Sequence, residues 1–326
     1  MRHKALRRIQ LRTQTRNRWR LGQQTTGVSS SRPWVLSAPS DFSLVSNPSA
    51  TAAFVARVRA ALAVKDVTVR LDAVTDLSPD ALLALVTVAE CVEQRKGHLT
   101  VSLPREPRLR EKISQWGFPQ LARSVGLRAD GQRAVFHTQV AARAEAGLQV
   151  DPARTDALVE EVCRNAGIPY HKISYANLIE CMTNTNNHAG EAEGSIRWRL
   201  MVTWDTDAKR LQFFFLDPGR GICNTLKFRF RRLTSDGKLL ALLLNAKSTW
   251  LAKALAGLPA KTRTGVRGRG RGLRKIAESI KRGGLSRLVL VANRGYFDAT
   301  QGHSLELTGD GFNGTLIHWE IAVAGD

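Results

Sequence analysis

Residues 195–217, SIRWRLMVTW-DTDAK-RLQFFFLD, constrain the fold more than any other stretch. Two apolar, strand-forming runs flank five residues of turn chemistry, which predicts an antiparallel hairpin. The chain closes on two more strands, SRLVLVAN (286–293) and GTLIHWEIAV (314–323), read as a final hairpin. Helical patterns surround them: RTDALVEEVCRNAG (154–167), a second over 173–189, and LRKIAESIKRGG, whose Leu273, Ile276 and Ile280 repeat at helical spacing before Gly283 stops it. Helices and hairpins in this order predict an α/β sandwich, with helices on one face of a mixed sheet.

The first half reads differently. VTVRL (67–71) alternates Val67, Val69 and Leu71 on one face as a half-buried strand. SPDALLALVTVAECVEQRKG (78–97) is a helix with Ser78 as N-cap, Pro79 in the first turn and Gly97 at its end. HLTVSL (98–103) is the next strand and PRLREKISQWGF the next helix, so residues from about 35 to 125 form a β-α-β-α unit. Residues 1–33 are a basic arm that dissolves into the polar linker GQQTTGVSSSRP.

Charge narrows the possible partners. Residues 1–40 hold nine Lys/Arg and no acid, and 222–285 hold sixteen against Asp236 and Glu278; these two patches account for the whole net charge of +21. Such patches favour polyanions: nucleic acid, acidic protein surfaces or a nucleotide's phosphates. The longest apolar runs, ALLALV (81–86) and LLALLLNA (239–246), are far shorter than the ~20 residues of a membrane span. No apolar segment follows the basic start as a secretory signal would require. Cys91, Cys163, Cys181 and Cys223 lack zinc spacing and read as free thiols, so a cytoplasmic location is expected.

Three segments carry chemistry. On the helix YANLIECMTNTNNHAG, Glu180, Asn184 and His188 share one face at i, i+4, i+8. Residues 183–187 are five poor helix formers in a row, each costing up to ~0.7 kcal/mol relative to alanine, which a purely packing helix would not retain. In FFFLDPGRGICN a strand ends in Asp217, placed to accept a hydrogen bond from an exocyclic amine such as adenine's. Gly219 and Gly221 let backbone approach a flat base. In TRTGVRGRGRGLRKI (262–276), Gly268, Gly270 and Gly272 lead into a helix N-terminus, whose free N–H groups favour phosphate. An RGG-type RNA-binding segment is the competing reading of that last stretch.

The ordered set E-x-x-x-N, D-x-G-x-G, G-x-G-x-G-L and a final Gly314-Thr315 resembles the Bergerat ATP-binding fold of the GHKL superfamily, which includes gyrase, MutL, histidine kinases and anti-sigma serine kinases. The resemblance covers roughly residues 150–326, within a domain placed at 141–326. It implies ATP and Mg²⁺ as ligands, with Asn184 coordinating Mg²⁺ and Glu180 as general base. Asp217, supported by Thr315, would bind adenine, with Gly219 and Gly221 under the base. Gly268, Gly270 and Gly272 would wrap the phosphates, Arg274 or Lys275 would neutralise them, and about 222–267 would be a basic lid. Arg267, Arg269 and Arg271 exceed what a phosphate cradle needs and point to a second polyanion.

Residues 34–140 resemble the STAS fold of anti-sigma-factor antagonists, in which a turn serine, here matching Ser78, is phosphorylated. The usual small-Gly pair is replaced by LSPD, which also suits a capped helix start. No histidine sits in a phospho-acceptor motif like HExxTPL, which argues against a two-component histidine kinase. Three functions remain open: an ATPase acting as a nucleotide-switched regulator with a protein partner at the STAS-like domain, an anti-sigma-type serine/threonine kinase, and a nucleotide-dependent nucleic-acid binder using residues 1–20 and the lid. Homodimerisation on ATP binding is a further expectation from the superfamily.

Overall fold

A computed structural model describes residues 32–91, 97–118, 128–129, 150–188, 198–205, 208–219, 221–225, 227–228, 260–261 and 272–322. Trp34–Asp326 forms one unit, separate from Met1–Pro33. Its first sheet is parallel, in the order β1 (Trp34–Ser37), β3 (Val67–Arg70), β5 (Leu99–Ser102), β6 (Arg128–Ala129). A short parallel pair, β2 (Asp41–Phe42) and β4 (Asp76–Leu77), lies beside it. The connecting helices are α1 (Pro48–Leu62), α2 (Pro79–Cys91) and α3 (Pro107–Gln115). The alternation read from VTVRL is observed: Val67, Val69 and Leu71 are buried, whereas Thr68 is half-buried and Arg70 exposed.

The second sheet has six strands: β7 (Arg199–Asp205), β8 (Arg210–Asp217), β11 (Arg287–Asn293), β12 (Gly295–Asp298), β13 (His303–Glu306) and β14 (Phe312–Ala322). Their spatial order is β13-β12-β11-β14-β8-β7. Helices α4 (Pro152–Asn165), α5 (Lys172–His188), α6 (Ile222–Thr225) and α7 (Gly272–Lys281) belong to this half, as does the small antiparallel pair β9 (Lys227–Phe228) and β10 (Ala260–Lys261). The hairpin across DTDAK is present, with Asp205 opposite Arg210.

Three expectations about this sheet, a mixture of strand directions, a final hairpin and helices on one face, are corrected. Every pairing in it is antiparallel, so the mixture of parallel and antiparallel strands belongs to the chain as a whole. The last two strands are not a hairpin either. The chain makes an excursion through β12 and β13, and β14 returns to fill the place between β11 and β8.

The sheet is also covered on both faces. Phe213, Phe215, Leu288, Leu290, Ile317 and Trp319 join the core beneath α4, α5 and α7. Phe214, Leu216, Val289, Val291 and Leu316 join a core continuous with α1, α2 and the parallel sheet. Helix α1 packs on β14, and α2 on β8 and β7. Helix α2 therefore lies between two sheets, and every residue from Pro79 to Ala89 is buried. A helix that is apolar all round has no solvent side to offer, which is why ALLALV suits this place.

The start of α2 is anchored by Asp80, which is fully buried and accepts from Leu44 N–H (2.8 Å), Ser78 Oγ (2.8 Å) and Ser43 Oγ (3.3 Å). Burial pushes its carboxyl up, opposed by the Leu44 N–H, Ser78, the charge of His318 and Ser43. Ser78 thus works as a donor to Asp80. An Asp80→Ala variant should lose about 2–3 kcal/mol in urea unfolding, because the Leu44 amide and two hydroxyls lose their acceptor.

Candidate functional site

The site is built where three strands of the antiparallel sheet end together. Asp217 closes β8 directly opposite Thr315 of β14. Its Oδ1 accepts the Gly219 N–H at 2.8 Å, which folds the Asp217-Pro218-Gly219 turn back on the carboxylate. Burial pushes the Asp217 carboxyl up, opposed by hydrogen bonds from Gly219 and the Thr185 hydroxyl. Thr315 is buried, and its Oγ1 accepts the Ile222 N–H at 3.0 Å, so it holds the Gly221–Ile222 turn against the sheet.

Two glycines permit this crowding. Gly314 has φ +124°, and a Cβ there would lie 2.4 Å from the Asp217 carbonyl oxygen. Gly221 has φ +78°, and a Cβ there would lie 2.4 Å from the Asn293 side chain at the end of β11. Both backbone conformations and both approaches exclude a side chain.

Helix α5 supplies the other wall. His171 precedes it, and the Ser174 N–H donates to the imidazole Nδ1 at 3.2 Å. Ser174, Asn177, Leu178, Cys181, Met182 and Thr185 are buried at helical spacing, while Glu180, Thr183 and Asn184 flank that face half-buried. Trp319 pins the helix to the sheet: its indole N–H donates to Ser174 Oγ at 3.2 Å, and its ring stacks on Phe213 at 4.9 Å. The Thr185 hydroxyl donates to the Cys181 carbonyl at 3.1 Å, and Thr185 is close enough to Asp217 to lower its carboxyl, so the turn that carries Asn184 lies beside the end of β8.

Helix α7 completes the set. Lys275 pairs with Glu180, and one turn further on the Ser279 hydroxyl donates to Asn177 Oδ1 at 3.4 Å. Lys275 is one of the two cations left open by helix phase; of Arg274 the backbone alone is described. Gly272 is the first residue of α7. Gly268, Gly270, Arg267, Arg269, Arg271, residues 1–20 and most of the lid lie outside the described residues. Asn187 and His188 lie in α5, whose backbone alone is described there.

A second polar cluster had no reading in the sequence. It lies on the sheet face turned to α1 and α2, on β8, β11, β12 and β14. His318 is 1% exposed and Glu320 3% exposed, with His318 Nε2 3.1 Å from Glu320 Oε1. Arg210 donates to Glu320 Oε2 at 2.9 Å, and Arg287 Nε to the fully buried Asp298 at 3.2 Å. The Tyr296 hydroxyl donates to the Val45 carbonyl at 3.0 Å, joining this face to the first half of the chain. The available signal was His318 and Glu320 standing two apart in a strand otherwise apolar on both faces.

No protein-family model matches this chain, and no curated protein matches it. Among solved structures it is similar to the histidine kinase domain of the blue-light activated histidine kinase from Erythrobacter litoralis EL346, at 14% identity and a TM-score of 0.25. The match covers 56% of this chain and 64% of that one, so the chain spans less than two thirds of its length. Among the described residues, no helix is long and apolar enough to cross a membrane.

Proposed function

We propose that residues 141–326 bind Mg-ATP at the strand-end site and hydrolyse it, and that the chain works as a nucleotide-switched regulator. The observation that carries this reading is the Asp217 constellation. A desolvated carboxylate stands at a strand end, with one oxygen engaged by its own turn and two glycines packed against the surrounding strands. Glu180 and Asn184 stand one helical turn apart on α5, whose next residue, Thr185, lies close enough to Asp217 to lower its carboxyl.

The donor types suit the ligands. Among the described residues no three His, Cys, Asp or Glu side chains gather as a metal site. A Mg²⁺ would therefore be held chiefly by phosphate oxygens, with the Asn184 amide oxygen as the protein's contribution, consistent with the sparse protein ligation usual for Mg²⁺. Bound there, the ion would neutralise charge on the phosphates. Glu180 accepts a proton from water as the water oxygen bonds to the γ-phosphorus. The bond from that phosphorus to the β–γ bridging oxygen breaks, and ADP leaves with the electron pair.

The switch follows from the layers. Pro218, next to Asp217, and Gly311–Asn313, just before Gly314, line a cleft of about 30 Å³ together with Val55, Arg59, Ala84 and Thr87 of α1 and α2. A ligand that shifts these two turns changes what the N-terminal layer packs against. A protein partner on the STAS-like layer is the proposed recipient of that change.

The test follows γ-labelled ATP. Wild-type protein with Mg²⁺ should release label as free phosphate, whereas Glu180→Ala should bind ATP and release none. Label retained on the protein would favour a serine kinase, with Ser78 examined first. Failure of the wild type to bind Mg-ATP would end the reading.

A further inference from the structure

One ammonium in the site has two claimants. Lys275 stands in the first turn of α7 immediately after the glycine run, where the proposed nucleotide would place its terminal phosphate. Its Nζ instead bonds to Glu180 Oε1. Lys275 is 65% exposed and Glu180 21%, so the pair is solvated and readily exchanged. One turn away, Ser279 and Asn177 are buried between the same two helices, and Ser279 Oγ also lies 3.1 Å from the Lys275 carbonyl oxygen. Helix α7 is thus fixed against α5 below Lys275, and the lysine can change partner by side-chain rotation alone.

We propose that Lys275 is a counter-ion exchanged between Glu180 and the γ-phosphate, so that arrival of the terminal phosphate releases the general base. This rests on the Mg-ATP reading of the site. An ammonium bonded to one carboxylate oxygen must leave before that oxygen can take a proton from water. A terminal phosphate carries more negative charge than a carboxylate and presents three oxygens, so it draws the ammonium away. ADP has no γ-phosphate and leaves the pair intact. The exchange ties activation of Glu180 to the triphosphate state, and Lys275 acts in both states through the same three N–H donors.

Carbodiimide cross-linking reads the pair directly, because it joins a carboxylate and an amine only when they touch. Peptide mass spectrometry should find a Glu180–Lys275 isopeptide in full-length protein without nucleotide and with Mg-ADP. Saturating Mg²⁺ with the β,γ-imido analogue of ATP should suppress it at least fivefold, saturation being set by calorimetry on the same sample. A cross-link unchanged by bound analogue overturns the exchange while leaving the site reading intact. An analogue that does not bind overturns both, and the calorimetry reports that separately. A second measurement guards against altered folding: Lys275→Met should weaken ATP binding about tenfold and leave ADP binding unchanged, with Lys275→Arg restoring ATP. A purely structural lysine would affect both nucleotides equally.

Discussion

Asp217→Asn is expected to lower Mg-ATP affinity roughly a hundredfold, about 3 kcal/mol, with little change in melting temperature. The reason lies in which atom the turn already uses. The Gly219 N–H needs an acceptor and takes Oδ1 at 2.8 Å. In the asparagine variant that bond holds the amide oxygen in the turn, so the NH₂ group occupies the place of the second carboxylate oxygen. An exocyclic amine of the base then meets a donor instead of an acceptor, and neither group can rotate away without breaking the turn. The fold tolerates the change because the amide has the shape of the carboxylate and the Gly219 N–H keeps its acceptor. Calorimetric titration with Mg-ATP measures the loss, and thermal unfolding checks the fold. Wild-type affinity in this variant would remove Asp217 from the proposed adenine site.

What could be read in advance follows the range of the forces involved. Short-range patterns served well: the hairpin over 195–217, the alternation of VTVRL and the helix over 173–189 all depend on neighbours a few residues apart. The shared stripe of Glu180 and Asn184 was legible for the same reason. Strand order was not, because β14 pairs with β8 across some hundred residues. Nothing local in GYFDATQGHSLE announces that β12 and β13 will push the returning strand inward.

The double cover of the sheet did leave a trace. FFFL in β8 has no polar alternation, as a strand buried on both faces should not. Likewise ALLALV has no polar stripe. Each segment needed a partner that only the other half of the chain could supply, and the two meet where α2 packs on β8. The pairing of Lys275 with Glu180 also depends on helix phase against a distant helix, which spacing within one segment does not contain.

The His318–Glu320 cluster sets the second large expectation, a stability that depends on acid. Glu320 is almost fully buried, and burial alone would push its carboxyl up. The hydrogen bond and charge of His318, with those of Arg210, outweigh burial and pull it down to about 2 from an ordinary 4.5. Both His318 ring nitrogens are held, one 3.1 Å from Glu320 Oε1 and the other 3.1 Å from the Phe213 carbonyl. A carboxyl depressed in the folded state stabilises the fold fully above its unfolded value. That contribution is lost as pH falls from about 4.5 toward about 2. The shift corresponds to about 3 kcal/mol.

Asp80 runs the other way. Its carboxyl is raised by burial, so acid relieves a cost there. The comparison must therefore be made against a variant that keeps Asp80. Glu320→Gln should unfold about 3–5 kcal/mol more easily than wild type at pH 7, since Arg210 and Arg287 lose a buried counter-charge. That difference should shrink steadily between pH 4.5 and 2 in urea titrations. A difference that stays constant across this window would mean that the Glu320 carboxylate does not stabilise this face of the sheet by its charge.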